Sequence, residues 1–256
     1  MKIISIANEK GGVGKTTSPL NLGAAFAKAG YKTLLIDLDP QANLSEYLGF
    51  EADGKATISE LIYNEVAGID YDIKSCIRTN TDENIDYLPS SKVLSAMVSV
   101  IGSDNNSQEV LKRLFSKDVF KDYDYIIFDC KPSLDLLVCN AFAASDSIII
   151  PVQAELFAYN AVANVINTIN KVKQSTNPTL DIAGILITMY RKQTTMSKEV
   201  SDALSDSYDN LVLKQHISLL TEAAKSTVHK KSLINTQGSI LGREFENAAR
   251  EILERM

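Results

Sequence analysis

The sequence lacks any long apolar run. No stretch of its 256 residues approaches the roughly 20 apolar residues that a helix needs to cross a bilayer. The N-terminus has Lys2 and a few apolar residues, but no long apolar segment followed by a small-residue cleavage site. We therefore expect neither a membrane span nor a signal peptide, and we expect the protein to work in the cytoplasm.

Cysteine and basic charge are also scarce. Cys76, Cys130 and Cys139 are odd in number and lack the paired spacing of a metal site, which fits buried thiols in a reducing compartment. The formal net charge of −6 argues against a surface coated with nucleic-acid-binding charge. A local basic patch remains compatible with this balance.

A glycine-rich segment is the most informative feature of the chain. Residues 9–17 read EKGGVGKTT, after a short apolar run and before a predicted helix. This strand, loop and helix order is typical of a phosphate-binding loop, or P-loop, whose glycines let backbone N–H groups approach a triphosphate. We expect Lys15 to reach the β- and γ-phosphates and Thr16 to offer its hydroxyl to Mg²⁺. The positive end of the helix dipole adds to this site.

Two further apolar runs end in aspartates. Residues 33–39 end in Asp37 and Asp39, and residues 123–129 end in Asp129, which is the Walker B pattern. The carboxyl ends of parallel strands are where α/β sheets bind ligands, so Asp129 is expected to hold Mg²⁺ directly or through water. Strands alternate with helical segments without an internal repeat. The sequence predicts one α/β P-loop NTPase domain over residues 1–256, with a doubly wound, mainly parallel sheet flanked by helices.

The loop departs from the general Walker pattern in one respect. Glu9 stands where the first glycine is expected, and a second lysine, Lys10, precedes the glycines. This arrangement resembles the deviant Walker A motif of the ParA/MinD class of ATPases. The DLDPQ sequence at 37–41 and the PVQAE sequence at 151–155 also resemble that class. The resemblance covers residues 1 to about 190, is weaker beyond, and is greatest to ParA (Soj-type) plasmid and chromosome partition proteins.

The resemblance implies an ATP-Mg²⁺ site and an ATP hydrolase. The implied nucleotide-binding residues are Gly11, Gly12, Val13, Gly14, Lys15, Thr16, Thr17 and Met189. The implied metal-binding residues are Thr16, Asp37 and Asp129, and the implied catalytic residues are Lys10, Lys15 and Asp39.

The resemblance also implies partners. ATP-Mg²⁺ would join two copies as a homodimer, with Lys10 of each subunit at the phosphates of the other. The dimer would bind DNA without sequence preference and associate with the nucleoid. A ParB-like, centromere-bound protein would stimulate hydrolysis and release the dimer. Hydrolysis would thus time a binding switch in plasmid or chromosome partition.

One short segment departs from the family. Residues 130–135 read CKPSLD where the family usually has CPPSLG. If the segment is helical, Lys131 and Asp135 are spaced to pair, which contributes about 0.2–0.5 kcal/mol. Two other interpretations stay open: two solvated surface charges, or a Lys131 close to the γ-phosphate or the dimer seam.

The last quarter of the chain lacks most arginines that DNA-binding ParA proteins carry. Candidate replacements are Lys214, Lys225, His229, Lys230, Lys231, Arg243 and Arg250. The alternative is a solvated mixed-charge surface, because glutamates stand among these bases at 244, 246, 251 and 254. Residues 243–256 form a predicted amphipathic helix whose polar side alternates Glu with Arg. We expect this helix to pack on the domain and not on a membrane.

Three other functions stay open. The first is a MinD-like, membrane-associated positioning ATPase, which the acidic last helix disfavours. The second is a metabolic or electron-transfer relative such as nitrogenase iron protein, for which Cys130 and Cys139 lack the expected pattern. The third is a nucleotide-switched regulatory scaffold without turnover.

Overall fold

The computed structural model describes residues 1–155 and 157–256. Its strands are β1 (Lys2–Ile6), β2 (Thr33–Leu38), β3 (Arg78–Asn80), β4 (Ile85–Leu88), β5 (Tyr125–Cys130), β6 (Ser147–Gln153) and β7 (Asp181–Thr188). Its α-helices are α1 (Thr17–Lys28), α2 (Asn43–Tyr47), α3 (Ile58–Ala67), α4 (Leu94–Gly102), α5 (Val110–Phe115), α6 (Leu136–Ala144), α7 (Ala158–Ser175), α8 (Thr195–Tyr208), α9 (Glu222–His229) and α10 (Ile240–Arg255).

The strands form one seven-stranded sheet in the order β3-β4-β2-β5-β1-β6-β7. Each neighbouring pair is parallel except β3 with β4. The predicted doubly wound, mainly parallel sheet is therefore confirmed. The antiparallel edge strand β3 was not predicted, because its three residues are polar and carry no strand-like apolar pattern.

Helices cover both faces of the sheet. Successive strand residues point to opposite faces, so Ile3 packs in one core layer and Ile4 in the other. The first layer includes buried residues of α3, α4, α5, α6 and α7. The second layer is formed mainly by α1 and α10, with Phe26 and Phe245 fully buried. Continuous burial on both faces explains why the central strands are nearly uniform apolar runs.

The last helix packs on the domain, as predicted. Phe245, Ala248 and Ile252 of α10 are buried in the same layer as α1. The ammonium of Lys28 on α1 lies 2.7 Å from a carboxylate oxygen of Glu246 on α10. The apolar side of α10 is thus used within the fold. In the part of the chain that the structure describes, no helix is both long and apolar enough to traverse a bilayer.

Candidate functional site

The P-loop curls at the carboxyl end of β1. Gly12 and Gly14 have φ of +75° and +85°, a left-handed conformation that favours glycine. The side chain of Lys15 is buried, with the residue 8% exposed, and its ammonium donates to the Lys10 carbonyl. The loop thereby keeps a positive charge at its centre, where a phosphate group would lie.

Side chains outside the loop fix its position. The Asn8 amide donates to the Pro151 carbonyl at 2.7 Å, and the Asn8 side-chain oxygen accepts from the Lys10 N–H at 2.9 Å. On the other side, the Thr188 hydroxyl donates to the Val13 carbonyl at 2.9 Å. Asn8 and Thr188 were not predicted as site residues. The sequence signal at Asn8 was a polar residue directly after the apolar run and before the glycine-rich segment.

The three predicted carboxylates meet beside this loop. β2 and β5 are neighbours, and their register sets Asp37 opposite Asp129. Asp39 follows one residue after the end of β2, and its N–H donates to Asp37 at 3.0 Å. The Ser45 N–H and hydroxyl also donate to Asp37, at 2.9 and 2.7 Å. The structure therefore brings together the aspartates that two separate sequence motifs predicted.

Burial shifts the protonation of these groups. It raises the pKa of Asp37 to about 6, against the opposing hydrogen bonds from Ser45 and Asp39. Burial, followed by the charge of Asp37, raises the pKa of Asp129 well above its ordinary value. Burial lowers the pKa of Lys15, while Asp129 and Asp39 oppose that shift. Ionisable groups are thus held together in a poorly solvated place that disfavours their charged forms, as is typical of functional sites.

The donor set fits Mg²⁺ that arrives with phosphates. Asp129 is 1% exposed, and its Oδ2 has no hydrogen-bond partner in the described chain. The Thr16 side chain lies close to Asp129, and hydrogen bonding between them opposes the rise in the pKa of Asp129. Within residues 1–155 and 157–256, no group of three or more His, Cys, Asp or Glu is placed to hold a metal ion. Mg²⁺ commonly binds with one or two carboxylates, substrate phosphates and water, so this sparse set suits it.

An apolar cavity lies next to the P-loop. Met189 lines it, together with Gly14, Leu219, Leu220 and Ala223, and its role in nucleotide binding stays a prediction. From the sequence, the last quarter of the chain is a candidate DNA-binding region, whereas the structure places part of it beside the P-loop.

Backbone and carboxylate contacts hold the wall of this cavity. The Leu219 N–H donates to the Tyr190 carbonyl at 3.0 Å. Both the N–H and the hydroxyl of Ser218 donate to the Glu244 carboxylate, each at 2.7 Å. Glu244 is buried, so its assignment to a solvated mixed-charge surface was wrong.

Lys10 and Lys15 occupy different environments on the same loop. The side chain of Lys10 is 39% exposed, and its ammonium lies 3.0 Å from the Glu155 carboxylate. Lys10 thus faces away from the centre of its own loop. Its role at the phosphates of a second subunit stays a prediction.

The Lys131–Asp135 pair is present, with 2.5 Å between its charged atoms. The segment is a loop and not a helical turn, because Asp135 is the N-cap of α6 and accepts from the N–H groups of Leu137 and Val138. The Lys131 side chain is 14% exposed, so the interpretation as two solvated charges is wrong. A place near the γ-phosphate or dimer seam stays a prediction.

The candidate DNA-binding residues are exposed but lie in different surroundings. Arg243 and Arg250 are two turns apart on α10, and each borders a groove shared with Lys28 and Glu246. The other bases stand in the segments around α9 and before it: Lys214, Lys225, Lys230 and Lys231. Lys230 lines a separate cavity with Thr16 and Thr17 of the P-loop. The sequence-based set therefore does not lie in one shared environment.

Burial of the Asp129 carboxylate predicts that the folded state loses stability as pH rises. The unfolded chain loses the Asp129 proton at the ordinary pKa, whereas the folded chain keeps it to a higher pH. This carboxylate therefore penalises the folded state increasingly as pH rises above about 4. Without nucleotide or Mg²⁺, we expect Asp129→Asn to raise the melting temperature at pH 8 by at least about 3 °C. The gain should be smaller at pH 5.

The matched control is Asp118→Asn. Asp118 is an exposed carboxylate whose pKa is lowered by its hydrogen bond from Lys121, so its neutralisation should not raise the melting temperature at either pH. Thermal melts followed by circular dichroism provide the measurement. An Asp129→Asn variant that melts below the wild type at pH 8 contradicts the electrostatic account.

Comparison with known proteins identifies relatives along nearly the whole chain. A family model described as an AAA domain matches residues 1–182. The sporulation initiation inhibitor protein Soj of Bacillus subtilis is 37% identical over 234 residues, covering 91% of this chain and 90% of that protein. The chromosome-partitioning ATPase Soj of Treponema pallidum is 35% identical over 255 residues, covering 99% of this chain and 98% of that protein.

A solved structure is also similar in sequence and fold. Cobyrinic acid a,c-diamide synthase from Mycobacterium smegmatis, crystallised with an ATP analogue and magnesium, is 32% identical. Its TM-score is 0.78, over 90% of this chain and 93% of that chain. These matches agree with the P-loop and its extra lysine, with the three aspartates and with the parallel sheet. The chain belongs to the Soj/ParA family of P-loop ATPases.

Proposed function

We propose that this chain is a partition ATPase that dimerises on binding ATP-Mg²⁺ and then binds DNA without sequence preference. The observation that carries the proposal is the placement of two lysines on one loop. Lys15 is buried at the centre of the loop, while Lys10 is exposed at its outer side. A second copy facing the loop would meet Lys10, and the relative named as a chromosome-partitioning ATPase supports a role in partition.

The nucleotide site would act through residues that already converge. Lys15 and the backbone N–H groups of the P-loop would hold the β- and γ-phosphates. Thr16, Asp129 and Asp37 would hold Mg²⁺, directly or through water. When bound, Mg²⁺ supplies positive charge that offsets the charge on the transferred phosphoryl group. Asp39, partly exposed at the end of β2, would orient the attacking water and accept its proton.

Dimerisation would complete the charge arrangement. In the single chain the Lys10 ammonium is held by Glu155, so it must leave this carboxylate to reach a partner's phosphates. There it would stabilise charge that develops during phosphoryl transfer, and only in the dimer. Hydrolysis would remove this attraction and allow the subunits to separate. A ParB-like, centromere-bound protein would accelerate that step.

The main DNA contacts would come from Arg243 and Arg250, the basic residues of α10 that border the two grooves. Arg243 and Arg250 flank the Lys28–Glu246 ion pair, so three bases surround one carboxylate. Such a surface would contact phosphates and confer affinity without sequence readout. Dimerisation would double the number of contacts. The protein would thus work in the cytoplasm and associate with the nucleoid when it holds ATP.

A membrane-associated function is less well supported. The apolar residues of α10 that a membrane-binding helix would expose are buried against the sheet and α1. Inserting them into a bilayer would require α10 to leave the core, at the expense of several buried side chains. The partition function therefore requires less rearrangement of this fold.

We expect Lys10→Ala to uncouple ATP binding from turnover. The variant should bind ATP-Mg²⁺ within about threefold of the wild type, because Lys15 and the loop backbone remain. Its kcat should fall about 100-fold or more, since the charge supplied across the dimer is missing. Phosphate release and sedimentation velocity with ATP provide the measurements. Lys2→Ala, which removes an exposed lysine on β1, is the control, and equal rates in the two variants would refute the role of Lys10.

We expect duplex binding to require ATP-Mg²⁺ and to weaken steeply with salt. A random-sequence duplex should bind with ATP-Mg²⁺, persist longer with Asp39→Ala, and not bind with ADP-Mg²⁺. Removing both Arg243 and Arg250 should weaken binding and lower the salt slope by about two per subunit.

The control for this experiment removes the same charge on the opposite face of the sheet. Lys171 and Lys173 lie on α7, which packs in the other core layer, so their double alanine variant should keep the salt slope. Binding that is independent of nucleotide, or equally reduced in both double variants, would contradict the proposed DNA surface.

A further inference from the structure

A second cavity borders the P-loop next to the apolar one. We call it the polar cavity. Thr16 and Thr17 at the start of α1 line it, with Glu46 of α2 and Thr227 and Lys230 at the end of α9. Its volume is about 230 Å³, compared with about 70 Å³ for the apolar cavity.

Two opposite charges face this space without pairing. Glu46 and Lys230 both line the polar cavity, and neither makes an ion pair within 4.0 Å in the described part of the chain. The cavity therefore presents a strong acceptor and a strong donor. A ligand with hydroxyl groups next to an anionic group matches this combination.

The two cavities are adjacent along α9. Thr17 lines both, while Ala223 borders the apolar cavity and Thr227 borders the polar one. These two residues are one helical turn apart, about 6 Å along the helix. A nucleotide whose base lies against the wall of the apolar cavity and whose terminal phosphates occupy the P-loop would therefore carry its sugar past the polar cavity.

Contacts behind the polar cavity hold its two walls together. The Tyr47 hydroxyl, buried beneath α9, donates to the Ser226 hydroxyl at 2.6 Å and contacts the Lys231 carbonyl at 3.2 Å. Tyr47 follows Glu46 on α2, and Ser226 lies one turn before Lys230. Lys230 caps α9 in a left-handed conformation, with φ of +49°. Glu46 and Lys230 are thus presented by segments that are joined to each other.

We propose that the polar cavity recognises the ribose and the α-phosphate of the bound nucleotide. Glu46 accepts hydrogen bonds from ribose hydroxyls, as an acidic residue does in dinucleotide sites. Lys230 donates to an α-phosphate oxygen. The inference rests on the ATP binding in the proposed function but not on DNA binding. It also moves Lys230 from the candidate DNA surface to the nucleotide site.

The first test measures sugar discrimination by calorimetry, with Mg²⁺ and without DNA. The probes are ATP, 2′-deoxy-ATP and 3′-deoxy-ATP. The wild type should bind ATP about tenfold more tightly than at least one deoxy analogue, because a hydrogen bond to a charged acceptor is lost. In Glu46→Gln this ratio should fall to about two or less. A wild type without discrimination, or a ratio unchanged in Glu46→Gln, overturns the proposal.

The second test measures how much the charge of Lys230 contributes to ATP affinity. Lys230→Gln should weaken ATP binding about three- to tenfold, because one ammonium–phosphate contact is removed. Lys231→Gln is the matched control, since it changes the net charge equally at the next residue, which does not line the polar cavity. Its ATP affinity should equal that of the wild type. Equal ATP affinities in the two variants refute the assignment of Lys230.

The experiments distinguish a failure of ATP binding from a failure of the polar-cavity assignment. A wild-type protein that binds no nucleotide refutes ATP binding itself. A wild type that binds ATP but shows neither sugar discrimination nor dependence on Lys230 refutes only the polar-cavity assignment. Melting curves of each variant verify that the fold is retained.

Discussion

The site depends on Asp37, Asp129 and Lys15 being held close together with little water. Parallel pairing of β2 with β5 sets the two carboxylates side by side, and the loop after β1 brings the lysine to them. One oxygen of Asp129 has no partner in the described chain, and burial disfavours the charged form of each group. A metal cation and phosphates are the groups that would offset these charges. The same burial penalises these charges in the folded chain and favours ligands that offset them.

The rest of the architecture keeps this edge of the sheet in place. Asn8 and Thr188 tie the P-loop to β6 and β7, so a movement of the loop away from the sheet would break these hydrogen bonds. The C-terminal part of the chain then encloses the nucleotide side. Glu244 of α10 holds Ser218 in the wall of the apolar cavity, and Tyr47 joins α2 to the end of α9. Elements that carry the candidate DNA surface are thus connected to elements that line the nucleotide site.

Much of the fold was predictable because the central strands are short apolar runs with carboxylates or turns at their ends. The apolar runs that end near Asp39 and at Asp129 form β2 and β5, and the predicted helix after the P-loop is α1. The Lys131–Asp135 contact was also anticipated, but Asp135 caps a helix instead of lying within one. An aspartate satisfies free N–H groups best at a helix start, which spacing alone does not reveal.

The remaining features depend on tertiary contacts between distant residues. The apolar cavity combines Gly14, Met189 and Leu219, which share no local sequence pattern. Glu244 looked like one more charge on an amphipathic helix, yet two hydrogen bonds to Ser218 account for its burial. Lys230 was grouped with other bases by composition, whereas the fold sets it beside Thr16. The charge pattern of the sequence identifies candidate binding residues, but only the fold shows which of them are buried, exposed or beside the nucleotide site.

The most direct measurement is the melting temperature of the wild-type protein at pH 8 with four additions: ATP with Mg²⁺, ATP with EDTA, Mg²⁺ alone, and buffer alone. Each ligand that binds only the folded state stabilises it, by about 2.7 kcal/mol at a hundredfold excess over Kd. We predict a rise of several degrees with ATP and Mg²⁺ together and a much smaller rise with either one alone, because the carboxylates need the cation and the lysine needs the phosphates. An equal rise with ATP and EDTA, or no rise with ATP and Mg²⁺, would contradict this account of the site.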